Sequence, residues 1–477
     1  MKQRTKALVA AITLLIMLPF TVTPSSANSA QKHWRGSDAT GAVIVDGDSP
    51  IVVEHENLVF DISEFPSPHY YDEEQFLTYS GRVSAEYTFF NPSDMTVTAT
   101  LAFPFGRLPD YGYSFDEADI TAHAVEINGE VVDTELRYTL MNSSQFDLEN
   151  DLPRLSDDYL SNENFSPETT VTLYMWQIND YKADKDHRAV CIATDVGKEN
   201  NGSYYYLADQ SLAHTQGDGD FRIGDWANSK NEIYLYVIGE PLTALPTWTF
   251  YKDGGVKDGE EISGNVNFLG EEKMTLLDLA MQNYDEEEGI SPLDWYNAFY
   301  CDLNASSQKY GDYPILMLDA YESGFSRQLM RWYQYDITLE PGERITNKVT
   351  APMYSDIDMS YEPTIYSYTY LLSPATTWKS FGSLDITINT PYYLTDSSLE
   401  GFTKTENGYE LHLAGLPEGE LDFTLSTSEN PKQDKGTGGL IMLILFVLLP
   451  ISLLWEGISN LGEWIFNGVK TLLGRIF

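Results

Sequence analysis

Acidic turns are the first residues in this sequence that could do chemistry. The run GDGDFRIGD places Asp218, Asp220 and Asp225 close together, and DGDSP does the same for Asp46 and Asp48. A hard cation such as calcium takes several carboxylate and carbonyl oxygens from a flexible turn, so Asp218, Asp220 and Asp225 are the candidate calcium ligands. Neither loop fits an EF-hand, because Ile223 stands where that loop needs glycine. Asp-Gly is also ordinary vocabulary of tight turns. The seven histidines (His33, His55, His69, His123, His187, His214 and His412) show no i,i+4 pair and no HExxH motif. There is no GxSxG elbow, no Walker A loop, and no GxGxxG leading from a strand into a helix. No catalytic residue is therefore assigned. A carboxylate-based hydrolase stays open as an alternative, since its two acids can lie far apart in sequence.

Aromatics are the other candidates, with 32 Tyr and nine Trp. Exposed rings stack on sugars or anchor protein partners. Tyr is equally a favoured strand residue, and Tyr366, Tyr368 and Tyr370 alternate as a strand would. Trp378, beside a turn in SPATTWKSFG, reads as a core plug.

The chain has 477 residues, with 72 Asp+Glu against 29 Lys+Arg, a net charge of −43. Such a surface excludes nucleic acid as a partner, because binding phosphates requires Lys and Arg to displace counterions. Cys191 and Cys301 are the only cysteines, too few for a disulfide scaffold. Whether these two pair or stay as buried thiols is open at this level.

The ends address the chain to a membrane. Residues 1–27 carry Lys2, Arg4 and Lys6, an apolar run from Ala7 to Phe20, and small residues Ser25 and Ala27. That is the layout of a secretory signal peptide. From Gly436 to Trp455 run 20 residues without charge. At about 1.5 Å per residue they span about 30 Å, the thickness of a bilayer core. Residues 456–477 then gather Ile458, Leu461, Trp464, Ile465, Val469, Leu472, Leu473 and Ile476 on one helical arc. The expected product is a transmembrane helix followed by an amphipathic cytoplasmic tail helix. Nearly all the acidity falls between 28 and 435, on the extracellular side.

That segment reads mainly as strands. Leu58, Phe60 and Ile62 alternate, as do Val83, Ala85, Tyr87 and Phe89. The turn NPSD follows, then Val97, Ala99, Leu101 and Phe103, which predicts a β-hairpin. A second hairpin is expected at Asn128-Gly129, and a third pair of strands flanks Pro341-Gly342. Leu384, Ile386 and Ile388, then Tyr409, Leu411 and Leu413, then Leu421, Phe423 and Leu425 alternate clearly. Ser291 and Pro292 are set to start a helix as N-cap and first helical residue. The expected fold is mainly β: two β-sandwich domains, 28–140 and 305–428, separated by an irregular β-rich region (141–270) that could continue the first. A small helical insert (271–304) precedes the second domain, and a linker (429–435) leads to the transmembrane helix (436–455) and tail (456–477).

The pattern V-x-A-x-Y-x-F-x-NP followed by A-x-L-x-FPFG resembles the front hairpin of vault/inter-alpha-trypsin-type domains. It more closely resembles membrane-anchored surface proteins of Gram-positive bacteria, a likeness that extends to YTYLLSPATTWKSFGSLDITINTPYYL (368–394) and the C-terminal anchor. The resemblance covers about half of the chain. It implies architecture and brings no catalytic or binding residues. The expected function is a non-enzymatic surface or interaction module, held in the cell membrane by 436–477 and facing a protein or glycan ligand. An envelope hydrolase or a sensor signalling through the tail helix are the alternatives.

Overall fold

The computed structural model describes residues 33–34, 39–40, 42–45, 49–66, 81–105, 123–140, 148–181, 189–193, 196, 203–207, 212–215, 221–226, 232–252, 259–312 and 329–433. Within them the chain is mainly β, arranged in several sheets. No helix among the described residues is long and apolar enough to cross a membrane. The expected signal peptide, span and tail helix lie outside the described residues.

An eight-stranded sheet forms the floor. Its central order is Gly408–Leu413, Phe381–Asn389, Val52–Asp61, Gly81–Phe90, Arg344–Met353 and Ala124–Ile127. Most pairs are antiparallel, but Val52–Asp61 and Phe381–Asn389 run parallel, with Leu58 opposite Ile386 and Asp61 opposite Asn389. Alternation decides which face is dry: Leu58, Phe60, Val83, Ala85, Leu384 and Ile386 are all buried. Part of that face is covered by a sheet containing Ile365–Leu371 and Leu421–Ser426. There Phe60 meets Phe423 edge-on at 5.0 Å and Tyr370 at 5.7 Å. A four-stranded sheet made of Val43–Ile44, Val97–Phe105, Leu329–Leu339 and Glu135–Leu140 is tied to the floor by Asn347, whose Nδ2 donates to the Tyr335 hydroxyl at 3.0 Å.

Strands from the two stretches expected to fold separately, 28–140 and 305–428, therefore interleave in the same sheets. Arg344–Met353 pairs with Gly81–Phe90, and Leu329–Leu339 pairs with Val97–Phe105. The hairpin expected at NPSD does not form, because that turn carries the chain from one sheet to the other. The strands expected on either side of Pro341-Gly342 do form and likewise lie in different sheets. Apolar alternation shows which face of a strand is buried and is silent about its neighbour. Asn91, fully buried, holds the two turns together: Nδ2 donates to the carbonyls of Met95 at 2.8 Å and Leu339 at 3.1 Å. The Asn128-Gly129 hairpin forms as expected, with φ of 52° and 82° at the two turn residues.

Glu135–Leu140 and Leu329–Leu339 are hydrogen-bonded neighbours, so what lies between them in sequence is an insertion. The stretch expected to be irregular contains two facing sheets. One has Thr170–Tyr181 at its centre, with Glu232–Gly239 and Gly264–Thr275 on its two sides. The other has Ala189–Ala193 between Phe221–Trp226 and Trp248–Lys252. Trp176, Ile178, Cys191, Ile223, Leu235 and Phe250 share the core between them. The first sheet's opposite face, through Val171, Leu173 and Ile238, shares a second core with Trp295, Phe299 and Leu303 of the helix Pro292–Tyr310. Helix starts later than expected, since residues through Thr275 are strand, and Ser291 caps Pro292–Tyr310 as anticipated. Cys191 and Cys301 are free and buried. Separately, Asp358–Ile365 and residues 426–433 belong to a small unit in which Tyr361 pairs with Gln433.

Candidate functional site

Asp225 is the one predicted calcium ligand that is described; Asp218, Asp220, Asp46 and Asp48 lie outside the described residues. Asp225 sits in the strand Phe221–Trp226, 6% exposed, directly opposite Cys191. Burial, reinforced by this carboxylate, raises the Cys191 thiol far above its ordinary range. Among the described residues, no group of three or more His, Cys, Asp or Glu side chains is arranged to hold a metal ion.

The structure instead brings functional groups together on the strands Val52–Asp61, Phe381–Asn389 and Gly408–Leu413. On their solvent face, His55 Nδ1 lies 2.9 Å from Ser383 Oγ, and its Nε2 lies 3.6 Å from Asp385 Oδ2. His412 Nδ1 bonds the other oxygen of Asp385. Serine, histidine and aspartate here have the order of a nucleophile, base and orienting acid. The acid is too far from the ring for a hydrogen bond, and its other oxygen is taken by a second histidine. The row is a cross-strand line of polar side chains spanning three strands. A β-bulge at Glu54 sets its phase, shifting the register between Val53 and His55. The bulge fits because its neighbour is Gly382, where a Cβ would come within 2.0 Å of the Glu54 carbonyl oxygen.

At the C-terminal ends of the parallel pair lies an open cleft of about 340 Å³, lined by Asp61, Ser63, Asn389, Thr390, Glu406 and Asn407 among others. Asn389 Nδ2 donates to Asp61 Oδ1 at 2.7 Å, which orients both side chains. The turn bearing Glu406 and Asn407 is pinned by Thr390 N donating to the Asn407 carbonyl at 2.9 Å. The Ser63 wall is held from behind. Phe65 is stacked between Tyr366 at 3.9 Å and Tyr392 at 3.8 Å, and the Tyr392 hydroxyl donates to the Ser63 carbonyl at 3.2 Å. Two acidic residues, two asparagines, Ser63 and Thr390 thus border one concavity on a braced scaffold, with Ile62 and Pro391 completing its wall. Such a set accepts hydrogen bonds from a ligand rich in hydroxyl or amine donors and disfavours an anion. Sequence reading missed these residues because they come from segments more than 300 positions apart, as Asp61 and Asn389 do; only the alternation that ends at Asp61 pointed toward the spot.

Directly beneath the open face, on the buried side, is Glu56, 1% exposed. Its Oε1 accepts from the Tyr370 hydroxyl at 3.4 Å, and Oε2 has no hydrogen-bond partner among the described residues. Burial pushes its carboxyl up to about 7, against smaller opposing hydrogen bonds from Tyr87 and Tyr370. Loss of solvent likewise raises the hydroxyls of Tyr87 and Tyr370 well above their ordinary value. Glu56 has the same strand phase as Leu58 and Phe60, and that was its signal in the sequence.

No family model matches the chain, and no curated protein matches it. Among solved structures it is similar to a candidate nutrient-binding protein of Legionella pneumophila. That likeness has 11% identity and a TM-score of 0.33, over 83% of this chain and 72% of the other. So remote a likeness assigns neither fold nor function.

Proposed function

We propose that this chain is a single-pass envelope protein of a Gram-positive-type membrane whose extracellular β region binds a hydroxyl-rich cell-surface glycan without turning it over. The carrying observation is the cleft at the ends of the parallel strands, where Asp61, Asn389, Glu406 and Asn407 converge on a wall braced by the Phe65 stack. Its wide opening and its mixture of apolar wall with carboxylate and amide residues suit the faces and hydroxyls of a sugar. The resemblance to membrane-anchored surface proteins, the signal-like N-terminus and the uncharged stretch 436–455 support the location.

Binding of the full chain to purified cell-wall polysaccharides is the test. The double variant Glu406→Ala, Asn407→Ala is expected to weaken retention at least tenfold while leaving thermal unfolding unchanged. Undiminished retention would remove the cleft from the reading. Asp61 and Glu406 on one cleft also favour a second reading, a carboxylate-based hydrolase. Release of reducing ends from the same polysaccharides, abolished by Asp61→Asn, would establish that reading over the first.

A further inference from the structure

Glu56 lies at the seam between the eight-stranded floor and the sheet that covers it. On its own strand the neighbours along the buried face are Leu58 and Phe60, both fully buried. Across the floor it is in register with Tyr87 on one side and Leu384 on the other. From the covering sheet come Tyr370, at hydrogen-bond distance, and Phe423, which packs on Phe60. Beyond Tyr87 the row continues to Asn347, whose amide donates to Tyr335. The groups that titrate and face Glu56 are therefore two tyrosines, and both are neutral at ordinary pH. The charged side chains of its own strand point elsewhere: Glu54 pairs with Arg344 at 2.7 Å, and His55 joins Ser383 and Asp385. A carboxylate here would be a charge in an apolar sandwich with one oxygen unmatched, and burying an unpaired charge is costly. A carboxylic acid fits the same space with its proton in place.

We infer that Glu56 is a proton-operated latch: with its proton the floor and the covering sheet pack closed, and ionisation of Glu56 loosens this seam. The inference stands whether or not the cleft binds a glycan. An ordinary carboxyl in the unfolded chain releases its proton near pH 4.5, whereas this one holds it to about 7. Between those values the unfolded state binds fewer protons than the folded state, so stability falls as pH rises. Below and above the window this group contributes no slope. One proton per molecule corresponds to a tenfold change in the unfolding equilibrium per pH unit.

The experiment is thermal and denaturant unfolding of the full chain from pH 4.5 to 8.5, with Glu56→Gln alongside. The native chain is expected to lose stability steadily to about pH 7 and then level off relative to the variant, whose amide has no proton to lose. Parallel pH profiles for the two proteins would overturn the latch. Should Glu56→Gln not fold, amide hydrogen exchange of the native chain at pH 6 and pH 8, corrected for intrinsic rates, decides. Protection in Val52–Asp61 and Ile365–Leu371 is expected to drop at least tenfold at the higher pH, while Thr170–Tyr181 holds its protection. Equal changes in both regions would refute it.

Discussion

Asp294 and Glu56 are both carboxylates buried to within 2% of full enclosure, and the molecule treats them in opposite ways. Asp294 sits in the first turn of Pro292–Tyr310 and receives the Arg137 guanidinium, with Nε at 3.1 Å and Nη2 at 3.0 Å from Oδ1. The Tyr138 backbone N–H donates to Oδ2 at 3.0 Å. Arg137 spends its remaining donors on Asp157 at 2.8 Å and the Ser156 carbonyl at 2.6 Å. Burial pulls that guanidinium down, but the bonds and charges of Asp294 and Asp157 more than offset it, and it sits above its ordinary value. Every strong donor and acceptor is matched, so this pair works as a fixed staple between the helix and the strand Glu135–Leu140. Glu56 has two weak hydroxyl neighbours and no cation. A fully matched charge fixes geometry, whereas an unmatched acid leaves its protonation state open to the surroundings.

The largest expected effect comes from breaking the staple. Asp294→Ala leaves Arg137 buried without its main partner and is expected to cost about 3–5 kcal/mol in denaturant unfolding. Glu56→Met should act with the opposite sign: at pH 8 it removes an unmatched buried acid and is expected to stabilise by about 1–3 kcal/mol. A loss of stability at pH 8 would place Glu56 with the staples. The smallest effect is at the edge of the staple, where Ser291 Oγ accepts from the Asp294 N–H at 3.1 Å. Ser291→Ala is expected to cost about 1 kcal/mol, as N-cap losses typically do, with no pH dependence beyond that of the native chain.

The contrast also shows what one-dimensional reading captures. The alternating runs at Leu58–Ile62, Val83–Phe89, Leu384–Ile388 and Leu421–Leu425 all place their apolar residues inside, and Trp378 is the plug it resembled, packed on Phe89 at 4.5 Å. The Ser291-Pro292 helix start and the Asn128-Gly129 turn were equally legible, because each rests on contacts within a few residues. What was hidden depends on distant pairing. A turn that looked like a hairpin joins two different sheets, and a stretch that looked irregular is an inserted pair of sheets. The cleft was hidden for the same reason, since its two sides meet only when Asp61 finds Asn389. Glu56 was legible in phase but not in consequence, because its covering Tyr370 lies 314 residues away.

The interleaved floor also has a consequence for how the chain is made. Val52–Asp61 finds its parallel neighbour only when Phe381–Asn389 has been synthesised, and the two strand ends are 328 residues apart. At about 5–20 residues per second, that edge stays without its neighbour for roughly 16–65 seconds. The inserted sheets, assembled from one continuous run, can finish in the meantime. A chain of this design therefore leaves the ribosome with its first strands still lacking their parallel neighbour.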